Sequence, residues 1–212
     1  RLRPPRAADY LVVLCAGVGS RLGLGAKCCV DVGGASIFQR LCRHAKRNGV
    51  RALVVVVGHE AEKVSDHCRE ACSSAGLPKP AIVPNEDYSS TNTAKSLLAA
   101  VRAVPALAQT GFLLVDGDLL VGDGAFDAVA RFPGTCAAVA RPSPLEFSCD
   151  DAEAVRAHVD DDVVIAIGKQ VPPNAQGECV GLYSITGESF GEAQLDLFLE
   201  NASEQDYYED AF

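Results

Sequence analysis

The sequence contains no methionine and no tryptophan. With Arg1 at its start, the chain is expected to be a piece of a longer polypeptide, with residues 1–8 as linker. It has no basic excess. Its formal net charge is −9, which excludes a general nucleic-acid surface. An anionic ligand must then be held by a local basic cluster. No apolar stretch reaches transmembrane length, and residues 11–16 are too few for a signal-peptide core, so no membrane partner is expected. The nine cysteines, at 15, 28, 29, 42, 68, 72, 136, 149 and 179, include no C-x-x-C pair, and their odd number argues against a complete disulfide framework. Several lie in apolar runs, as buried thiols do, and a reducing cytoplasm is the natural compartment. His67, Cys68 and Cys72 share one predicted helix. Without a second ligand pair they read as half-buried helix residues, not as metal ligands. No internal repeat or low-complexity tract is present.

What is present suffices for one domain with a full core: 212 residues, 48% hydrophobic and 22% charged. Unbroken apolar runs at 11–15, 52–57 and 111–115 read as buried parallel strands, with shorter strands at 81–83 and 135–141. Helical spacing marks 37–48, 61–75, 93–104 and 125–132. Asn48-Gly49, Gly76 and Pro105 close the first three, and Thr91 or Asn92 serves as N-cap of the third. Strands alternating with helices predict an α/β, doubly wound, mostly parallel Rossmann-like sheet. Beyond 142 the pattern changes. A hairpin over 154–167 turns at Asp160-Asp161-Asp162, a strand covers 179–185, a helix covers 187–201, and another helix starts at 206. One domain over 9–212 is expected, with a first part (9–141) and a second, partly antiparallel part (142–212).

Ligands of such sheets bind beyond the carboxyl ends of the strands. The loops after 15, 83 and 115 open there, and they are also the richest in functional residue types. The first contains Gly17, Gly19, Gly23 and Gly25, with Arg21 and Lys27 as its only charges. Glycines let backbone N–H groups approach an anion. Arg21 offers a forked phosphate contact and Lys27 a point charge, an arrangement suited to a polyphosphate. The dinucleotide fingerprint does not fit, because its third glycine position is Leu22. The P-loop does not fit either, because the lysine lies between Ala26 and Cys28.

What fits is G-x-G-S-R-L, a short gap, a lysine, then V-x-V-G-G. This resembles the signature loop of nucleotidyltransferases that join a nucleoside triphosphate to a phosphorylated small molecule. The segment N-x-x-Y-x-x-T-N-x-x-S-L, residues 85–97, resembles that of phosphocholine cytidylyltransferases and their close relatives, where it helps to select the base. The apolar strand ending in Gly117-Asp118 resembles the family's metal-binding G-D pair, and G-K at 168–169 followed by G-E-x-V-G-L resembles its acceptor side. The resemblance runs from Tyr10 to Phe212. It departs from the family at Ala26, where proline is usual, and at Phe212, beyond which family members continue through a further strand and helix.

The resemblance implies the nucleotidyltransferase (glycosyltransferase-A-like) fold and a set of roles. Ala16, Gly17, Gly19, Ser20 and Arg21 would hold the triphosphate. Asn85, Thr91, Asn92, Ser96 and Asp116 would complete the nucleotide site. Arg21, Lys27 and Lys169 would be the catalytic cations. Asp118 would share Mg²⁺ with Glu209 or Asp210, with Glu209 favoured. Tyr88, Lys169, Tyr207 and Tyr208 would face the acceptor, since aromatic faces attract quaternary ammonium groups. The implied reaction is Mg²⁺-dependent cytidylyl transfer from CTP to a small phosphate or phosphonate acceptor, such as phosphocholine or 2-aminoethylphosphonate, by a monomer or homodimer. The alternatives are a sugar-1-phosphate or inositol-phosphate nucleotidyltransferase, a dinucleotide-dependent oxidoreductase, and a non-catalytic nucleotide-binding module.

Overall fold

The computed structural model describes residues 8–19, 25–141, 154–171, 175, 177–192 and 195–211. Among them the elements follow as β1 (Tyr10–Cys15), α1 (Ile37–Arg47), β2 (Ala52–Val57), α2 (Ala61–Ser74), β3 (Ala81–Pro84), α3 (Thr93–Ala103), α4 (Ala106–Thr110) and β4 (Phe112–Asp116). Then come α5 (Asp123–Arg131), β5 (Cys136–Ala140), β6 (Arg156–Asp160), β7 (Val163–Gly168), β8 (Gly177–Ile185), α6 (Gly187–Glu192) and α7 (Leu195–Asn201).

One sheet runs in the order β3-β2-β1-β4-β8-β6-β7, with β5 paired to β8. β1 to β4 are mutually parallel. β8 is antiparallel to β4, β5 and β6, and β6 is antiparallel to β7. The apolar runs are explained by burial on both faces. Leu11, Val13 and Cys15 of β1 enter one core with Phe38 of α1, Val64 of α2 and Phe126 of α5. Val12 and Leu14 enter the other with Leu97 of α3, Phe190 of α6 and Leu199 of α7. Helices therefore cover both faces, as in a doubly wound sheet. Leu11, Val12 and Val13 are fully buried, and each contributes about 1.5–3 kcal/mol by leaving water.

Local chemistry sets the boundaries. A capping box between Ser36 and Gln39 starts α1. Asp161 (φ 44°) and Asp162 (φ 63°) make the two-residue turn between β6 and β7, with both residues at positive φ as a type I′ turn requires. Two expectations differ. Pro105, read as a stop, occupies the N-cap position of the additional short helix α4, because proline is tolerated at a helix start. The helix expected from 206 is only a 3₁₀ turn, Tyr208–Ala211. Of the helix expected over 187–201, the described residues form α6 and α7, and residues 193–194 lie outside the described residues.

Candidate active site

A cleft of about 240 Å³ opens at the carboxyl ends of β1, β3 and β4, where a parallel sheet of this kind places its ligand. The glycine-rich loop forms one wall. Ala16, Gly17 and Gly19 line the cleft, together with Cys15 and Cys28. Gly19 has φ +64°, and a Cβ there would lie 3.0 Å from Lys27 Cγ, so only glycine lets the loop fold over the lysine. Ser20 and Arg21 lie outside the described residues. Lys27 begins a 3₁₀ turn, Lys27–Cys29. Its Nζ donates to Asp118 Oδ2 at 2.7 Å, across 91 positions of sequence.

Behind this loop, the His59 N–H donates to Ala16 O at 3.0 Å. Glu60 Oε2 accepts from the Ala26 N–H at 2.8 Å. A Cβ on Gly58 would strike Tyr88 and Ala16 O, so this glycine lets Tyr88 close down on the loop base. The cysteines here are core residues. Cys42 Sγ and Cys72 Sγ are 3.8 Å apart, and the eight described cysteines are free thiols. His67 Nε2 lies 2.7 Å from Ser36 Oγ.

The second wall follows β3. Asn85 is 8% exposed, and its N–H donates to Val57 O. Its Nδ2 donates to Thr91 Oγ1 at 3.1 Å and to Ser96 Oγ at 3.0 Å. This leaves the amide oxygen as the acceptor on that side chain. Tyr88, Thr91, Asn92 and Ser96 all line the cleft. Asn92 occupies the N-cap position of α3 without capping it through its side chain. Its Nδ2 donates instead to Gln205 O at 2.8 Å, and its N–H to Glu204 O at 2.8 Å. The start of α3 is thus clasped by the end of the chain, and Thr91 is tied to Asp87 O at 2.9 Å.

The third wall follows β4. Asp116 and Asp118 line the cleft with Gly117 between them. Tyr208 Oη donates to Asp116 Oδ1 at 3.2 Å. The other Asp116 oxygen rests against Gly181, where φ is +75° and any Cβ would collide with the carboxylate. Burial pushes the Asp116 carboxyl well above the usual carboxylate range, and the charges of Glu209 and Asp118 push it further. Glu209 is 5% exposed. It accepts from Tyr183 Oη at 3.3 Å, its Oε2 is buried without a partner, and burial also raises its carboxyl.

The remaining predicted residues do not line this cleft. Lys169 Nζ donates to Tyr207 Oη at 3.1 Å and lies 4.3 Å from the centre of that ring. The cation seat on Tyr207 is thus taken by the chain's own lysine. Asp210 Oδ2 accepts from the Tyr207 N–H at 2.9 Å, which makes it a local cap. Tyr208 corrects the sequence reading. It is fully buried and packs edge-on against Tyr183, so it offers no face to an acceptor. Its hydroxyl is spent on Asp116. Among the described residues, no three His, Cys, Asp or Glu side chains form a ready metal cage; Mg²⁺, which keeps several waters, needs fewer protein ligands than that.

Sequence reasoning missed Gly58, Glu60 and Gly181. Gly181 was within sight, in the matched G-E-x-V-G-L stretch. Nothing local signals Glu60, because its partner lies 34 positions away.

Residues 11–158 match the family described as MobA-like NTP transferase domain. The chain is 31% identical over 163 residues to the bifunctional IPC transferase and DIPP synthase of Rubrobacter xylanophilus, covering 76% of this chain and 35% of that one. It is 34% identical over 140 residues to the CMP-5'-(3-aminopropyl)phosphonate synthase of Streptomyces rubellomurinus, covering 63% of this chain and 21% of that one. The chain therefore spans 35% or less of the length of these curated relatives. The inositol-1-phosphate CTP transferase from T. maritima has a similar fold, with a TM-score of 0.75 at 20% identity over 97% of this chain and 80% of that one. The CTP:phosphocholine cytidylyltransferase of Streptococcus pneumoniae aligns with a TM-score of 0.69 at 16% identity, over 95% of this chain and 82% of that one.

Proposed function

The chain belongs to the MobA-like NTP transferase domain family, and from that premise we propose that it transfers a cytidylyl group from CTP to a small phosphate or phosphonate monoester, releasing pyrophosphate. One observation carries the reading. A cation from the glycine-rich loop and an anion from the end of β4 meet at 2.7 Å in a cleft lined by glycine backbone. Each is placed to exchange its partner for a ligand charge, Lys27 for a phosphate and Asp118 for a divalent cation.

The acceptor oxygen attacks the α-phosphorus, the bond to the bridging oxygen breaks, and pyrophosphate leaves. No protein nucleophile is needed, and the work of the chain is positioning and charge stabilisation. Gly17 and Gly19 open the backbone to the phosphates, with Arg21 assigned to the same task from sequence. Lys27 meets charge developing at the α-phosphoryl group, and Lys169, which rests on Tyr207 outside the cleft lining, is assigned to the acceptor phosphate from sequence. Asp118 with Glu209 would hold Mg²⁺. Carboxylate oxygens suit that hard cation, and Glu209 Oε2 is a buried oxygen still lacking a partner. When bound, Mg²⁺ neutralises charge on the nucleotide oxygens. Preference for cytosine is assigned to Asn85. With Nδ2 committed to Thr91 and Ser96, the remaining acceptor suits the exocyclic amine of cytosine and not the carbonyl of uracil.

Pyrophosphate release tests the reading, with Mg²⁺, each of the four NTPs, and phosphocholine, 2-aminoethylphosphonate, inositol 1-phosphate or a sugar 1-phosphate as acceptor. CTP with one of the first three is expected to give turnover. Turnover with UTP or ATP at an equal or higher rate refutes the cytidylyl assignment, and none with any pair refutes the transferase reading.

A further inference from the structure

Resting on the phosphate-loop role of Lys27, we propose that Glu60 is a positioning residue that sets Lys27 through the backbone of Ala26. Glu60 has φ 49° and ψ 38°, a left-handed conformation that non-glycine residues seldom adopt. Such conformations persist where the surrounding structure holds them and cluster at functional sites. Glu60 stands at the N-cap of α2, yet its side chain does not cap that helix. It turns to the glycine-rich loop instead, where Oε2 accepts from the Ala26 N–H at 2.8 Å. Ala26 is 4% exposed, so without Glu60 this N–H would be buried with no partner.

The rest of the contact is built around that hydrogen bond. Lys63 Nζ lies 3.1 Å from each Glu60 oxygen. The Ala26 N–H, then Lys63, hold the Glu60 carboxyl below its ordinary range. Gly25 has φ +75°, and a Cβ there would come within 2.8 Å of Glu60 Oε2, so the approach requires glycine. From Ala26 the restraint passes directly to the lysine. The Cys29 N–H donates to Ala26 O and the Val30 N–H to Lys27 O, each at 3.0 Å, closing the turn that begins with Lys27. The 3₁₀ turn has no side-chain cap of its own. Glu60 therefore fixes the root of a side chain whose far end reaches Asp118 Oδ2 across the cleft.

Four variants test this by steady-state kinetics and melting. Glu60→Gly deletes the acceptor but suits the left-handed backbone, so the relieved strain offsets most of what the lost hydrogen bond costs. Tm should stay within about 4 °C of wild type while kcat falls about tenfold or more. KM for the NTP should stay within about threefold, since the charge is misplaced and not removed. Glu60→Gln keeps an acceptor oxygen and should stay within about threefold of wild-type kcat. On a Lys27→Ala background, Glu60→Gly should cost nothing further. Ala26 has φ −59°, the value a proline ring imposes. Ala26→Pro combined with Glu60→Gly should therefore recover most of the lost kcat, the ring replacing the hydrogen bond. Wild-type kcat in Glu60→Gly overturns the proposal, as does a further loss on the Lys27→Ala background. In either case the nucleotidyltransferase reading stands. A wild-type chain without NTP-dependent pyrophosphate release overturns both.

Discussion

Asp118→Asn separates two roles that one ion pair can have. The Lys27 and Asp118 side chains are 27% and 42% exposed, so water screens their attraction. Exposed pairs of this kind contribute about 0.2–1 kcal/mol. For a chain of this size that corresponds to a Tm change of at most about 2–4 °C. The catalytic stake is larger, because losing one positioned charge contact in a transition state costs about a hundredfold or more in kcat, some 3 kcal/mol. Asp118→Asn should therefore melt within about 4 °C of wild type and lose at least a hundredfold in Mg²⁺-dependent turnover. A second effect follows from the pair itself. In the free protein a phosphate must compete with Asp118 for Lys27. Removing that competitor, at up to about 1 kcal/mol, should tighten CTP binding in EDTA by up to about fivefold. Titration calorimetry with and without Mg²⁺ reads both arms. Wild-type turnover in the variant, or weaker metal-free CTP binding, refutes the reasoning.

Two further outcomes concern the acids beneath the cleft. Asp116 titrates higher folded than unfolded. As pH rises, the unfolded chain therefore loses this proton first, and stability falls through the window between the unfolded value, about 3.9, and the raised folded one. Asp116→Asn keeps an acceptor for Tyr208 Oη without that penalty, so the Tm difference, variant minus wild type, should grow from pH 4 to pH 8; a flat difference refutes it. Gly181→Ala puts a Cβ into the Asp116 carboxylate at φ +75°. It should cost at least ~2 kcal/mol, about 4–8 °C in Tm, and a melting curve unchanged within 2 °C contradicts this account.

The parallel half of the fold was legible because its strands are buried on both faces. Residues 11–15, 52–57 and 111–115 therefore appear as unbroken apolar runs, bounded by glycine, proline and asparagine signals. The cleft was legible to the same extent. Asn85 and Asp118 follow β3 and β4, Asp116 ends β4, Lys27 starts the 3₁₀ turn after the glycine-rich loop and Ser96 lies in the first turn of α3, and the sheet brings them together. What could not be read depends on contacts between distant residues. Tyr208 in D-Y-Y-E-D resembles its neighbour Tyr207, yet one is in the core and the other under Lys169. That difference is set by Asp116, 92 positions earlier. Glu60 gives no local signal, because the hydrogen bond that occupies it comes from another loop.

The clasp between the end of the chain and α3 bears on the order of assembly. β1, β2 and β3 pair through neighbouring strand-helix-strand units, and β4 then docks on β1. Asn92 must wait for Gln205, 113 positions on, and Asp116 for Tyr208. Closing such long loops is entropically costly and is rewarded late. The nucleotide cleft is thus finished after most of the helix content is in place, and a collapsed intermediate can carry native-like secondary structure with no working site. In a protein without tryptophan, buried Tyr183 and Tyr208 are the natural reporters of that last step. Their near-ultraviolet signal should return together with activity and after the far-ultraviolet signal, and simultaneous recovery of all three refutes this order.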